Sequence, residues 1–91
     1  MIHVEGKNKG KIILYALTTC IWCKKTKEFL NNLGVDYYIE YVDNLTGEDR
    51  EKAMKEVRKW NPSGSFPVIV INNTKCILGY DDEAIKQELE K

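Results

Sequence analysis

The chain carries no excess charge of either sign, with 14 Lys and Arg against 14 Asp and Glu. A balanced surface has no electrostatic pull on nucleic acid or an anionic membrane, so neither is expected as a partner. Long apolar runs are absent too, and the longest falls far short of the ~20 residues that a membrane-spanning helix needs. No apolar N-terminal stretch of the signal-peptide kind is present, since Met1 to Lys11 is polar and basic. The cytoplasm is therefore the expected compartment. Histidine occurs once. Cysteines number three, an odd count that forms no closed disulfide framework. In a reducing compartment, a C-x-x-C pair points to catalysis or metal binding before it points to a structural bridge.

What is present suits one compact domain spanning residues 1–91. Hydrophobic residues make up 43% of the 91, enough for a real core and too many for disorder. Residues 1–10 form a polar lead-in with two glycines, and His3 there reads as a surface residue. Lys11 to Leu17 predicts a strand, because Ile12, Ile13, Leu14 and Tyr15 run together as in a strand buried on both faces. Ile21 to Leu33 predicts a helix: Trp22, Thr26, Phe29, Leu30 and Leu33 recur at spacings of three and four, and Gly34 is a natural stop. Val35 to Val42 alternates, with Val35, Tyr37, Ile39 and Tyr41 on one face. The order strand–helix–strand implies a right-handed crossover between parallel strands.

Thr46, with an acid at Asp49, has the spacing of a capping box and opens a charged helix to about Trp60. Its apolar stripe is Ala53, Met54, Val57 and Trp60, and Glu48–Lys52 and Glu51–Lys55 are favourable pairs on a solvated face. Asn61 to Ser65 is a loop. Pro67 to Ile71 and Thr74 to Leu78 flank Asn72-Asn73 and predict a hairpin with a tight primed turn. Asp81 and Asp82 are candidate caps for a last helix through Leu89. The order β-α-β-α-β-β-α predicts an α/β fold, a four-stranded mixed sheet with helices on both faces.

Cys20 and Cys23 stand where the first strand hands over to the first helix. That puts one sulfur at the helix N-terminus, amid unpaired N–H groups and partial positive charge, and the other one turn inside. Such a site stabilises a thiolate, the species that attacks disulfides. Lys24 and Lys25 either add positive charge to it or belong to a solvated face. Trp22 is either a lip that contacts substrate or part of the core stripe. A disulfide staple is the weaker reading, since a four-residue loop constrains little of the unfolded chain. Metal binding has half a tetrahedral site in the C-x-x-C, but only Cys76 and His3 remain to complete it. Cys76 itself reads as a small buried hydrophobe.

Together, Cys20-Ile21-Trp22-Cys23 at the strand–helix turn, Phe66-Pro67 at the start of the third strand and Gly79-Tyr80-Asp81-Asp82 before the last helix resemble the glutaredoxins, of the thioredoxin fold. The resemblance runs from Lys11 to Leu89. It implies a thiol–disulfide oxidoreductase with Cys20 as nucleophile and Cys23 as resolving thiol, acting as a monomer on protein or low-molecular-weight disulfides. It implies a cis Pro67 facing the cysteines, the Phe66 backbone pairing with bound thiol substrate, and Asp81 and Asp82 at the γ-glutamyl end of glutathione. Ser65 stands where the family usually has Thr. No resident cofactor or metal is required; glutathione, another thiol or a protein reductase would supply electrons. Two departures leave the small thiol open. Leu17 occupies a position where many members carry Lys, and Leu78 replaces the first Gly of a usual pair. The run Trp60 to Ser65 is similar to variants from some anaerobic bacteria and archaea, which implies a protein reductase. The alternative is an iron–sulfur or zinc module that uses the same cysteines at a dimer interface.

Overall fold

A computed structural model describes residues 1–90. Its elements in chain order are β1 (Ile2–Val4), β2 (Ile12–Ala16), α1 (Ile21–Leu33), β3 (Tyr37–Tyr41), a short 3-10 turn (Val42–Asn44), α2 (Gly47–Trp60), β4 (Val68–Ile71), β5 (Lys75–Leu78) and α3 (Asp82–Leu89). One sheet contains all five strands in the order β1-β3-β2-β4-β5. β2 and β3 are parallel, and the other pairs are antiparallel. This is the thioredoxin-like α/β class, with five strands where the sequence predicts four.

The additional strand lies in the polar lead-in. β1 pairs antiparallel with β3, Ile2 opposite Ile39 and Val4 opposite Tyr37. Three residues are too few to show alternation, so only the long-range pairing reveals them. Side chains help to hold the segment: the His3 ring stacks on Tyr38, and His3 Nε2 meets the Asp36 carboxylate at 2.9 Å.

Strand alternation splits the core into two layers. Ile12, Leu14 and Ala16 of β2, with Ile69 and Ile71 of β4, face α1 and α3 through Cys23, Leu30, Ile85 and Leu89. Tyr15, Val68 and Val70 point the other way, against Val57 of α2. The continuous apolar runs therefore do mark strands covered on both faces. Each fully buried aliphatic side chain in these layers stabilises the fold by about 1.5–3 kcal/mol relative to exposure.

Local details depart from expectation in several places. Trp22 is not in the buried stripe of α1; Cys23, Thr26 and Leu30 form it, and Thr26 satisfies its hydroxyl by donating to the Trp22 carbonyl oxygen at 2.8 Å. Thr46 makes no side-chain cap, because Gly47 at φ 56 turns the chain differently into α2. The Glu48–Lys52 and Glu51–Lys55 pairs are not among the ion pairs of the described residues, whereas Lys59 and Glu56 meet at 4.0 Å. The hairpin turn is as expected, with Asn72 and Asn73 at φ 51 and 58, although β5 begins at Lys75 instead of Thr74. Gly34 ends α1 in the left-handed region at φ 71, its N–H donating to the Asn31 carbonyl oxygen. Among the described residues, no helix is long and apolar enough to cross a membrane.

Candidate active site

The site begins at the C-terminal end of β2. Ala16 is the last strand residue, and the chain turns through Leu17-Thr18-Thr19 before α1 starts at Ile21. Cys20 is the N-cap residue, with extended backbone at φ −90 and ψ 115. Its Sγ accepts the Cys23 backbone N–H at 3.2 Å, taking the role that a Ser or Asp oxygen usually plays at a cap. Sulfur at this position meets one of the unpaired donors of the first turn and the positive end of the helix.

The two thiols are free but unequal. Cys20 is partly exposed, whereas Cys23 is only 2% exposed, one turn inside and packed in the core. Burial pushes the Cys23 thiol up to about 12, and its hydrogen bond to Cys20 adds to the effect; a backbone hydrogen bond at Leu17 partly offsets them. The Asp43 charge also disfavours a Cys23 thiolate. A small cleft of about 140 Å3 reaches both sulfurs, lined by Leu17, Thr18, Lys24, Lys27 and Tyr41.

A second groove is lined by Trp22, Phe66, Pro67, Gly79 and Tyr80. The Phe66–Pro67 peptide is cis. Asn61 knots the loop that leads to it. This buried side chain donates to the Ser65 carbonyl and hydroxyl oxygens at 3.1 and 3.0 Å and accepts the Ser63 hydroxyl at 2.8 Å. The Ser65 hydroxyl thus serves the loop. The Gly79 N–H donates to the Pro67 carbonyl oxygen at 2.9 Å and ties the turn before α3 to the same strand end.

Trp22 forms the lip of this groove. It is 54% exposed, its ring stacked on Tyr80 with centroids 6.0 Å apart and the Lys25 ammonium 4.9 Å from its centre. Phe29 meets Tyr80 edge-on, so the ledge is anchored to α1. Leu78 and Ile21 are also exposed.

The structure therefore brings Cys20 and Cys23 together in one cleft and Trp22, Phe66 and Pro67 together in the groove. Asp81 and Asp82 line neither. Asp81 caps α3 by accepting the Ala84 N–H at 3.1 Å, and Asp82 accepts the Glu83 N–H at 2.9 Å. Two residues at the site escape the sequence reading. Tyr80 is visible there only as part of a turn motif, and its stacking partner is distant in sequence. Asp43 receives hydrogen bonds from Thr18, a contact that depends on the β2–β3 register. Among the described residues, no three His, Cys, Asp or Glu side chains are grouped to hold a metal ion.

Comparison with known proteins agrees with this geometry. The chain is similar to the glutaredoxin of Methanosarcina mazei, with 49% identity, a TM-score of 0.93 and coverage of 98% of this chain and 86% of that one. It is also similar to methanoredoxin of Methanosarcina acetivorans, at 44% identity and a TM-score of 0.91 over 94% and 90% of the two chains. A glutaredoxin-like protein of the rubredoxin operon in Clostridium pasteurianum is 35% identical over 80 residues, which cover 88% of this chain and 99% of that protein. The glutaredoxin family model matches residues 12–77, so the chain belongs to the glutaredoxin family.

Proposed function

We propose that this chain is a thiol–disulfide oxidoreductase that reduces protein or low-molecular-weight disulfides by a dithiol mechanism. Cys20 is the nucleophile and Cys23 the resolving thiol. The inequality of the two sulfurs supports this reading: one stands at the rim on a helix N-terminus, and the other is buried and kept protonated.

In the first step the Cys20 thiolate bonds to one substrate sulfur, and the other leaves as a thiolate. Cys23 then loses its proton to solvent and bonds to Cys20 Sγ. The first substrate sulfur leaves as a second thiolate. Two electrons have passed to the substrate, and Cys20–Cys23 is now a disulfide. Cys23 is easier to deprotonate at this second stage. Its hydrogen bond to Cys20 and the Cys20 charge both raise it in the reduced protein, and both vanish once Cys20 is bonded to substrate.

The cis Pro67 and the Phe66 backbone form the wall along which a substrate chain lies, with Trp22 as an apolar lip. Asp81 and Asp82 attract the ammonium of a γ-glutamyl group when glutathione is the reductant. Leu17 and Leu78 remove contacts that would favour it, which supports another thiol or a protein reductase. The protein acts as a monomer in the cytoplasm and requires no resident cofactor.

The test is to incubate the oxidised protein separately with glutathione and with candidate protein reductases and count free thiols. A competent reductant restores two thiols per molecule and supports steady turnover of a disulfide, and Cys20→Ser abolishes that turnover. Turnover that survives Cys20→Ser contradicts the mechanism. A visible absorption band with cysteine-dependent iron would favour the iron–sulfur module instead.

A further inference from the structure

We propose, building on the oxidoreductase reading above, that Asp43 is a positioning residue for the exchange reaction: it clamps Thr18 and so sets the turn that presents Cys20. The observation is geometric. β2 and β3 run parallel with Ala16 opposite Tyr41. Two residues further along each strand, the same register brings Thr18 beside Asp43, beyond the last ladder pair. The Asp43 carboxylate takes the place of a ladder partner. Its two oxygens accept the Thr18 backbone N–H at 3.0 and 3.1 Å, and one also accepts the Thr18 hydroxyl.

Thr18 lies two residues before Cys20 and lines the same cleft as both sulfurs. The Cys20 N–H donates to the Leu17 carbonyl oxygen at 3.3 Å, so Leu17 to Cys20 forms one closed turn with Thr18 inside it. Asp43 tethers that turn to the neighbouring strand end. The 3-10 turn Val42–Asn44 supplies the rigidity, because Val42 is buried against the α2 layer while Asp43 itself is exposed. The tether thus joins the Cys20 turn to a strand end that is anchored by the buried Val42.

The clamp has a second consequence. The hydrogen bonds from Thr18 hold the Asp43 carboxyl below its ordinary range, so it stays ionised and is a poor acceptor for the Cys23 proton. Its role is positional, not that of a general base. Misplacing a reacting atom by about 1 Å can cost roughly 100-fold in rate, so a turn two residues from the nucleophile is worth fixing.

Single-turnover attack of the reduced protein on 5,5′-dithiobis(2-nitrobenzoate), with the thermal unfolding midpoint measured alongside, tests the proposal. Asp43→Ala is expected to slow attack by Cys20 roughly tenfold or more at temperatures where the variant is fully folded. Asp43→Asn keeps an oxygen for the Thr18 N–H and should stay within about threefold of the wild type. Thr18→Val should slow attack, Thr18→Ser should restore it, and Thr18→Val added to Asp43→Ala should cost little more than Asp43→Ala alone. Asp36→Asn, a carboxylate engaged by His3 and Gly6, is the control and should leave the rate unchanged. The proposal is overturned if Asp43→Ala stays within twofold of the wild type, if Asp43→Asn is as slow as Asp43→Ala, or if the double variant loses the product of the two effects. Should Asp43→Ala fail to fold, the contrast between Thr18→Val and Thr18→Ser decides alone. In a Cys76→Ser background, which removes the other partly exposed thiol, attack that persists in Cys20→Ser at the rate of the Cys20 protein would instead overturn the oxidoreductase reading, whatever Asp43 does.

Discussion

Alkylation of the reduced protein by iodoacetamide at pH 7 should be ordered, and the structure sets the scale of the order. The Cys23 thiol is pushed from an ordinary 9.0 to about 12, with burial as the largest cause. At pH 7 this leaves about a thousandfold less thiolate than an ordinary thiol of the same chain would have. A more basic thiolate is also a better nucleophile, and a Brønsted slope of about 0.45 returns a factor of roughly 20. The net expectation is a rate about 50-fold below that of a cysteine in an unstructured peptide. Steric exclusion lowers it further, since only 2% of Cys23 is accessible. Cys20, at the rim, should be labelled first, and partly exposed Cys76 is an internal reference thiol. The assay is a time course quenched with acid and read by peptide mass spectrometry, which assigns label to each cysteine. Cys23 labelling as fast as Cys20, or as fast as the unstructured peptide, would refute the reasoning from burial to protonation to role.

Three further outcomes are expected. Gly10 has φ +110, and a Cβ there would sit 2.7 Å from Asn72 Oδ1, so Gly10→Ala should cost about 1–3 kcal/mol in urea unfolding; a cost below about 0.3 kcal/mol would count against the Asn72 contact. Cys23 and Tyr37 are both raised to about 12 and are neutral in the fold, whereas the unfolded chain ionises them near 9 to 10. The unfolded state then binds fewer protons, so their contribution to stability is complete below about pH 9 and is lost toward about 12; denaturant midpoints that stay flat across that window would contradict it. Trp22→Ala removes the groove's lip but no core packing, so KM for a protein disulfide should rise roughly fivefold with kcat within about twofold, and an unchanged KM would remove Trp22 from the binding surface.

Much of the fold and the placement of the cysteine pair were legible in the sequence because they rest on local patterns. The double-faced apolar runs of β2 and β4 carry their own signature, as does the glycine stop at Gly34. The place of Cys20 at a strand–helix junction follows from those two elements alone. What was not legible depends on contacts distant in sequence. β1 is three residues long and exists through pairing with β3. Trp22 and Cys23 are adjacent on a helix, and either can begin the apolar stripe; only the packed neighbours show that Cys23 turns inward and Trp22 out to Tyr80. Thr46 and Asp49 have the spacing of a capping box, but the positive φ of Gly47 decides the local geometry. Asp43 follows Val42 like any polar residue after a strand, and its partnership with Thr18 emerges only from the parallel register of β2 and β3.

The central claim is that Cys20 attacks and Cys23 resolves, and trapping the covalent intermediate tests it most directly. Reduced Cys23→Ser protein is mixed with an excess of a disulfide substrate, quenched in acid and digested without reductant for mass spectrometry. The account predicts one substrate thiol bound per molecule, attached at Cys20, while the wild type under the same conditions carries a Cys20–Cys23 disulfide and no adduct. An adduct at Cys76 in place of Cys20, or a Cys20→Ser protein that forms the same adduct at Cys23 at a comparable rate, would contradict it.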